Sequence, residues 1–193
     1  MTLDDGDQLG WARITNGNDE VIFVTECGQA LRFNESKVRA MGRQAAGVQA
    51  IKLKKEDAVT SMDVVEKDGA LLVVTSTGFG KQTPLKEYTA KGRATGGIST
   101  IDQKALKEIG KIVAARVVQK ADDLTIITSM GVAIRIKNKD VKQAGRATKG
   151  VHLIKPQGGD YVASVARIAA EDLKKAGAQI AEEEKAEPQP QLM

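Results

Sequence analysis

The chain is poor in the residues that most often carry chemistry. It has one cysteine, Cys27, and one histidine, His152, in 193 residues. A single thiol excludes an intrachain disulfide, and no Cys/His spacing suits zinc. His152 stands where a repeat described below has Gln49 and Ser99, so it reads as an ordinary strand residue. Cys27 stands beside a turn glycine and reads as a turn residue, not a nucleophile. No Gly-x-x-x-x-Gly-Lys-Ser/Thr stretch occurs, which argues against nucleotide hydrolysis. No apolar run approaches the roughly 18 residues needed to cross a bilayer. The start, Met1-Thr2-Leu3-Asp4-Asp5, is acidic and lacks an apolar signal-peptide core. These absences predict a cytoplasmic protein with no membrane contact, and they predict no metal, cofactor or catalytic residue within this chain.

Aromatic residues are also scarce, at 3%. Hydrophobic residues nevertheless make up 41%, so a folded core is expected, packed by Val, Ile, Leu and Ala. Such a core suits many small β units. The one tryptophan, Trp11, falls at an apolar position of an opening strand and reads as core, because stacking on unpaired bases wants several exposed aromatics.

Charge is unevenly spread. The formal net charge is +4, but Glu171 to Met193 holds six acids and three bases, so residues 1–170 carry +7. A basic body points to a polyanionic partner. The acidic tail, residues 169–193, is expected to be helical in part or disordered, with Pro188 and Pro190 ending any helix. The plain reading is a solvated tail; the sharper one is that its Glu182-Glu183-Glu184 run competes with the polyanionic partner for the basic body.

Sliding the sequence against itself exposes its organisation. Gly28, Gly78 and Gly131 are anchors, each preceded three residues earlier by Thr25, Thr75 or Thr128. Before the threonines lie β-favouring runs: Val21–Val24, Leu71–Val74 and Leu124–Ile127. Fourteen residues after each anchor comes a Gly-Arg pair: Gly42-Arg43, Gly92-Arg93 and Gly145-Arg146. Further glycines follow at Gly47, Gly97 and Gly150, then a β-branched residue, then Ile51, Ile101 or Ile154. The period is 50 and then 53 residues, with the three extra residues in the polar stretch Asp102 to Gly110. A shorter opening strand recurs four times, around residues 9–14, 60–65, 113–118 and 162–168. The last copy is a leftover that would complete the final unit and cover a sheet edge. The predicted fold is all-β: a propeller-like array of about three roughly four-stranded blades, with units near 9–58, 59–111 and 112–168, then the tail.

The chemistry sits in the loop between the third strand of each unit and its Gly-Arg pair. Unit one has Arg32, Lys37, Arg39 and Arg43; unit two has Lys81, Lys86, Lys91 and Arg93. Unit three has Arg135, Lys137, Lys139, Lys142, Arg146 and Lys149. Acids are sparse there: Glu35, Glu87 and Asp140. Arginine offers phosphate a planar fork and lysine a mobile point charge. Small neighbours let backbone amides approach an anion. One cationic station per blade would form a curved track, and a duplex following it must bend. The bland alternative is a protein-interaction propeller whose loops are basic only because they are exposed. An enzyme is disfavoured, since no acid/base pair recurs.

The Thr-x-x-Gly turns and the Gly-Arg-x-x-x-Gly loops resemble the C-terminal domain of bacterial DNA gyrase A, from about Asp7 to Ile168, and the acidic tail is also similar. The topoisomerase IV counterpart has more degenerate repeats and is the weaker match. The resemblance implies a β-pinwheel, a disc of blades that exchange strands, with double-stranded DNA wrapped around its basic rim. It also implies as partners the rest of gyrase A and the gyrase B protein, with the ATP and magnesium sites of the enzyme in other domains. Two departures stand out. That domain usually has six blades, and three units are counted here, which looks like its C-terminal half. The hallmark box, Gln-Arg-Arg-Gly-Gly-Lys-Gly, is absent; Gly42-Arg43-Gln44-Ala45-Ala46-Gly47 and its counterparts look like degenerate versions. On that account DNA binding and bending are expected to persist in weakened form, and whether the chain wraps DNA fully stays open. The family's cleavage tyrosine lies outside this chain, and Tyr88 and Tyr161 sit within repeat units.

Overall fold

The computed structural model describes residues 3–176 and 178. The strands are β1 (Glu20–Thr25), β2 (Gln29–Asn34), β3 (Val59–Val64), β4 (Ala70–Thr75), β5 (Phe79–Pro84) and β6 (Ile98–Ser99). A one-turn helix, α1 (Leu106–Ile109), precedes β7 (Ile112–Val118), β8 (Asp123–Thr128), β9 (Ala133–Lys137), β10 (Val151–His152) and β11 (Val162–Ile168). The all-β expectation holds. The three inserted residues form part of the segment containing α1, whose Ile109 is fully buried.

The repeated threonine and glycine make the central hairpin of each blade. The amide of the anchor glycine donates to the threonine carbonyl at 2.9 Å in Gly28 and Gly78 and at 3.1 Å in Gly131. Each anchor has a positive φ, between 80° and 86°, where a Cβ is disfavoured. The Thr25 and Thr128 hydroxyls then accept from the amides of Gln29 and Val132, closing the turn.

The strands form three antiparallel sheets, ordered β3-β1-β2-β6, β10-β5-β4-β7 and β11-β8-β9. Each of the first two hairpins takes one flanking strand from each of two later stretches of chain. The first sheet borrows β3 and β6, and the second borrows β7 and β10. The leftover opening strand, β11, completes one side of the third sheet against β8. The first copy behaves differently. Residues 9–14 form no strand, with Leu9 and Ile14 exposed and Trp11 only half-buried. Its sister strands β3, β7 and β11 each pair with a hairpin, and residues 9–14 have no such hairpin to meet among the described residues. The expected opening strand and the core role for Trp11 are corrected on that ground.

The opening strands face one another at the inner side. The Ala115 amide donates to Ser61 Oγ at 2.8 Å, and the Val117 amide to Asp63 Oδ2 at 3.0 Å. Arg167 on β11 donates to the Val117 carbonyl at 3.0 Å and pairs with Glu66 and Asp122. Apolar clusters run across these seams. One joins Ile22, Val24 and Ala30 of the first hairpin to Leu71, Val73, Ile101 and Val117. Another joins Leu72 and Val74 to Leu124, Ile126 and Val165. A lone sheet cannot bury both faces, and its neighbours cover it. In the tail, residues 170–176 are helical, and the Glu182-Glu183-Glu184 run lies outside the described residues.

Candidate nucleic-acid interface

With the opening strands inside, β6 and β10 mark the opposite edges of their sheets, and the loops that deliver them run along that outer side. Residues 85–97 leave β5 of the second sheet and cross to the first; residues 138–150 leave β9 and cross to the second. Each loop opens with a 3-10 turn: Glu35–Lys37, Leu85–Glu87 and Asn138–Asp140. The basic loops of the second and third units are thus blade-to-blade connections, while that of the first leads from β2 to β3 of the same sheet.

The candidate cations divide into those that build these crossings and those that face solvent. Lys81 is fully buried. Its ammonium donates to the Gly145 carbonyl at 2.6 Å, the Arg146 carbonyl at 2.7 Å and Thr148 Oγ1 at 3.1 Å. Three donors meet three acceptors, so no surface remains for a phosphate, and the expectation that Lys81 contacts DNA is corrected. Burial pushes its pKa down to about 8. Leu31 and Ile134 hold the same place in the other units, a signal that the position faces the core.

Arg32 is also a strut. It pairs with Glu20 on the neighbouring strand and donates to the carbonyls of Leu85 at 2.9 Å and Tyr88 at 3.4 Å. Gln82, at the equivalent place, reaches the carbonyls of Asn138 at 3.1 Å and Val141 at 2.7 Å. Arg135, the third counterpart, is exposed and pairs with Asp123 at 2.8 Å.

The Gly-Arg arginines stitch one crossing to the previous one. Arg93 donates to the Lys37 carbonyl at 3.0 Å and the Gln49 carbonyl at 3.1 Å; Arg146 donates to the Ser99 carbonyl at 3.2 Å. Both are half-buried and keep further N–H groups outside these bonds. Arg43 is exposed. Lys149 pairs with Glu108 at 2.9 Å and lies 5.7 Å from the centre of the Phe79 ring.

The remaining candidates are Lys37, Arg39, Lys86, Lys91, Lys137, Lys139 and Lys142. All are exposed, and among the described residues none has a side-chain hydrogen bond or ion pair. Each of the three basic loops contributes two, and Lys137 ends β9 beside the third. The nearby Glu35 is already engaged by Thr15 and by the Gly17 and Asp19 amides, and the Thr15 hydrogen bond leads in holding its pKa below the usual carboxylate range. Sequence reasoning passed over Lys52, Lys54 and Lys55, exposed just after Ile51. The Lys52 amide donates to the Thr95 carbonyl at 2.9 Å, which sets this run against the second crossing loop. The Lys-Leu-Lys-Lys run was the available signal.

The other singled-out residues stay structural. Tyr88 is buried with its hydroxyl bonded to Thr100, and burial raises its pKa. His152 lies on β10 with its ring centroid 3.8 Å from that of Phe79. The Cys27 thiol is pushed up, first by desolvation and then by Asp57. Among the described residues no cluster of three or more His, Cys, Asp or Glu could hold a metal, and no helix is long and apolar enough to cross a membrane.

Three stretches of the chain, residues 19–66, 70–119 and 122–169, match the profile of the DNA gyrase C-terminal domain, a beta-propeller. The chain belongs to this family. The DNA gyrase A protein of Salmonella typhimurium is 39% identical over 169 residues, spanning 88% of this chain and 19% of that protein. Its Staphylococcus epidermidis counterpart is 38% identical over 174 residues, spanning 89% and 19%. The chain thus covers about a fifth of these relatives. Among solved structures, a DNA gyrase A C-terminal domain superposes with a TM-score of 0.80 at 26% identity, over 87% of this chain and 57% of that one. The C-terminal domain of a DNA topoisomerase IV gives 0.79 at 29%, over 89% and 53%. The matched stretches of this gyrase-type domain follow the sheets. Each contains one central hairpin and begins or ends near an opening strand.

Proposed function

We propose that this gyrase-type domain is a non-catalytic module that holds duplex DNA along its outer side and bends it. The observation that carries the reading is the set of seven exposed cations, unpaired among the described residues, six of them in the three repeated basic loops and Lys137 at the end of β9 beside the third. Free cations gain most from phosphates, because no carboxylate must be displaced and condensed counterions are released. Stations on successive blades hold different segments of the backbone. A rigid array then imposes curvature, at a bending cost of a few kcal/mol that phosphate neutralisation offsets. Recognition through phosphates is largely independent of sequence.

In a whole gyrase, such a module would present a wrapped segment to the strand-passage machinery and so favour negative supercoiling. Its partners would be the rest of gyrase A and the gyrase B protein, in the cytoplasm on the chromosome. The ATP and magnesium of that reaction would be used in other domains.

Ligation of nicked circular DNA in the presence of the chain, with the linking number read on a gel, tests the reading. A shift in linking number that grows with protein and collapses with salt is expected. Tight binding with no shift would leave a DNA-sticking surface and remove the bending.

A further inference from the structure

Neighbouring blades are joined twice, and the two chain crossings frame an opening. On the inner side, residues 65–69 lead from β3 in the first sheet to β4 in the second, and residues 119–122 lead from β7 in the second to β8 in the third. On the outer side run the basic loops of the second and third units. The joints are sealed at the end that carries the hairpin tips. There a Cβ on Gly28 would lie 2.4 Å from Ile101 Cγ2, and one on Gly78 would lie 2.2 Å from the Ile154 carbonyl oxygen. At the other end both joints stay open.

The first opening is a cleft of about 630 Å³ between residues 65–69 on the inner bank and residues 84–86 on the outer one. The second, of about 510 Å³, lies between Val118 and Lys120 on the inner bank and residues 139–143 on the outer one. Asp68, Gly69, Pro84 and Gln143 line both, so the two clefts adjoin across the second blade as one furrow. Its inner bank is tied together. The Gln119 side-chain amide donates to Glu66 Oε2 and to the Lys67 carbonyl, each at 3.1 Å.

Cations stand on both banks. Lys67 and Lys86 line the first cleft from opposite sides, and Lys120 lines the second across from Lys139 and Lys142. All five are exposed, and among the described residues none has a side-chain hydrogen bond or ion pair. Lys67 and Lys120 lie outside the basic loops of the repeat. Most acids of the furrow are already engaged: Glu20 by Arg32, Glu66 by Arg167 and Asp19 by Asn16. Asp68 and Asp140 remain, against five lysines. These lysines are strung along the furrow and do not converge on one point, which suits an extended polyanion better than a compact anion.

We propose that one strand of the duplex lies in this furrow, its phosphates held between Lys67 and Lys120 on one bank and Lys86, Lys139 and Lys142 on the other. The inference rests on the DNA reading above and adds where on the array the duplex sits. It occupies the shoulder between the outer side and the open end of the blades, away from the hairpin tips. The furrow is continuous with the basic loops, and it runs from blade to blade, the direction that a bent duplex must follow. The inner lysines give each joint a second set of phosphate contacts. Neutralising phosphates from both banks releases more counterions than one bank can, and contacts to phosphate fix the orientation of the duplex without reading its sequence.

Duplex binding by the full chain over a salt series, read by fluorescence anisotropy, tests this. A Lys67→Gln, Lys120→Gln double variant should keep the wild-type Tm and lower the slope of log K against log salt by about 1.8, at ~0.9 for each phosphate lost. The comparison pair is Lys104→Gln with Lys107→Gln, exposed beside the tip of the first hairpin, where Gln103 Nε2 donates to the Cys27 carbonyl at 2.9 Å. That pair should keep the wild-type slope. In a Cys27→Ser background, an iron–EDTA group attached to Lys120→Cys should cut the bound duplex, and one attached to Lys107→Cys should leave it intact. A wild type that binds no duplex sinks the DNA reading and the furrow with it. A wild type that binds, with an unaltered slope in the Lys67, Lys120 variant or with cutting from position 107 and none from position 120, overturns the furrow alone.

Discussion

The ammonium of Lys81 donates to the backbone carbonyl of Arg146 at 2.7 Å, so a lysine of the second sheet shapes the basic loop that reaches it from the third. Its other protons hold Gly145 and Thr148. Replacing it by methionine keeps the buried stem and removes all three hydrogen bonds, leaving the Gly145 carbonyl only the Thr148 hydroxyl at 2.9 Å. Lys81→Met should destabilise the domain by about 2–3 kcal/mol, the usual range for hydrogen bonds from a charged group. Chemical denaturation of both proteins measures this. A loss below 0.5 kcal/mol (roughly the effect of a surface change) would show that the loop does not depend on Lys81.

The same lysine gives a pH dependence with a definite sign. Burial lowers its folded-state pKa to about 8, below the roughly 10.4 of an unfolded lysine. Between these values the unfolded chain binds more protons than the folded one, so this group's contribution to stability rises with pH. The difference in Tm between wild type and Lys81→Met should therefore widen from pH 7.5 to pH 10. A difference that stays flat or narrows would contradict the lowered pKa.

Arg32 and the rim lysines should separate stability from DNA binding. Arg32 is committed to Glu20 and to two carbonyls of the next loop. Arg32→Met should cost about 2–3 kcal/mol of stability and change duplex affinity less than about twofold. Lys86, Lys91, Lys139 and Lys142 have no protein partner among the described residues. Changing all four to glutamine should leave Tm within a few degrees. It should also flatten the slope of log K against log salt by up to about 3.6, at ~0.9 for each phosphate that is no longer neutralised. Fluorescence anisotropy over a salt series reads both. Equal slopes for the quadruple variant and wild type would take these lysines off the DNA path.

Much of this was legible because the repeat fixes the backbone before it fixes the side chains. Gly28, Gly78 and Gly131 share an offset, and all three adopt the positive φ that their hairpin turn requires. Which strands pair was not legible. A period-two pattern says that a strand has an inner face but not whose hairpin it joins, so the exchange of β6 and β10 appears only in the sheets. The basic loops could be found, but their cations could not be sorted by charge alone. Lys81 reads as a phosphate ligand by type. Only its alignment with Leu31 and Ile134 marks it as inward-facing, and only the three oxygens around it explain why a charge is tolerated there. Arg32 and Arg135 share a repeat position yet differ in partners: Arg32 holds the crossing loop of the next blade, and among the described residues Arg135 holds only Asp123.

That positional difference leads to a prediction for the loop glycines. Gly97 and Gly47 occupy the same place in their units, at φ +70° and +93°. An alanine at either adopts a left-handed backbone at a cost of roughly 1–2 kcal/mol. At Gly97 the new Cβ would also lie 2.4 Å from the Ala30 carbonyl oxygen, a main-chain atom with no easy escape. Overpacking of this kind adds about 1–3 kcal/mol, so Gly97→Ala should cost about 2–5 kcal/mol and loosen β6 from β2. Gly47→Ala meets nothing within 4 Å and should cost only the backbone term. Hydrogen exchange at Ile98 and Ser99, with denaturation of both variants, distinguishes these cases; equal costs would mean that strand exchange does not constrain the loop.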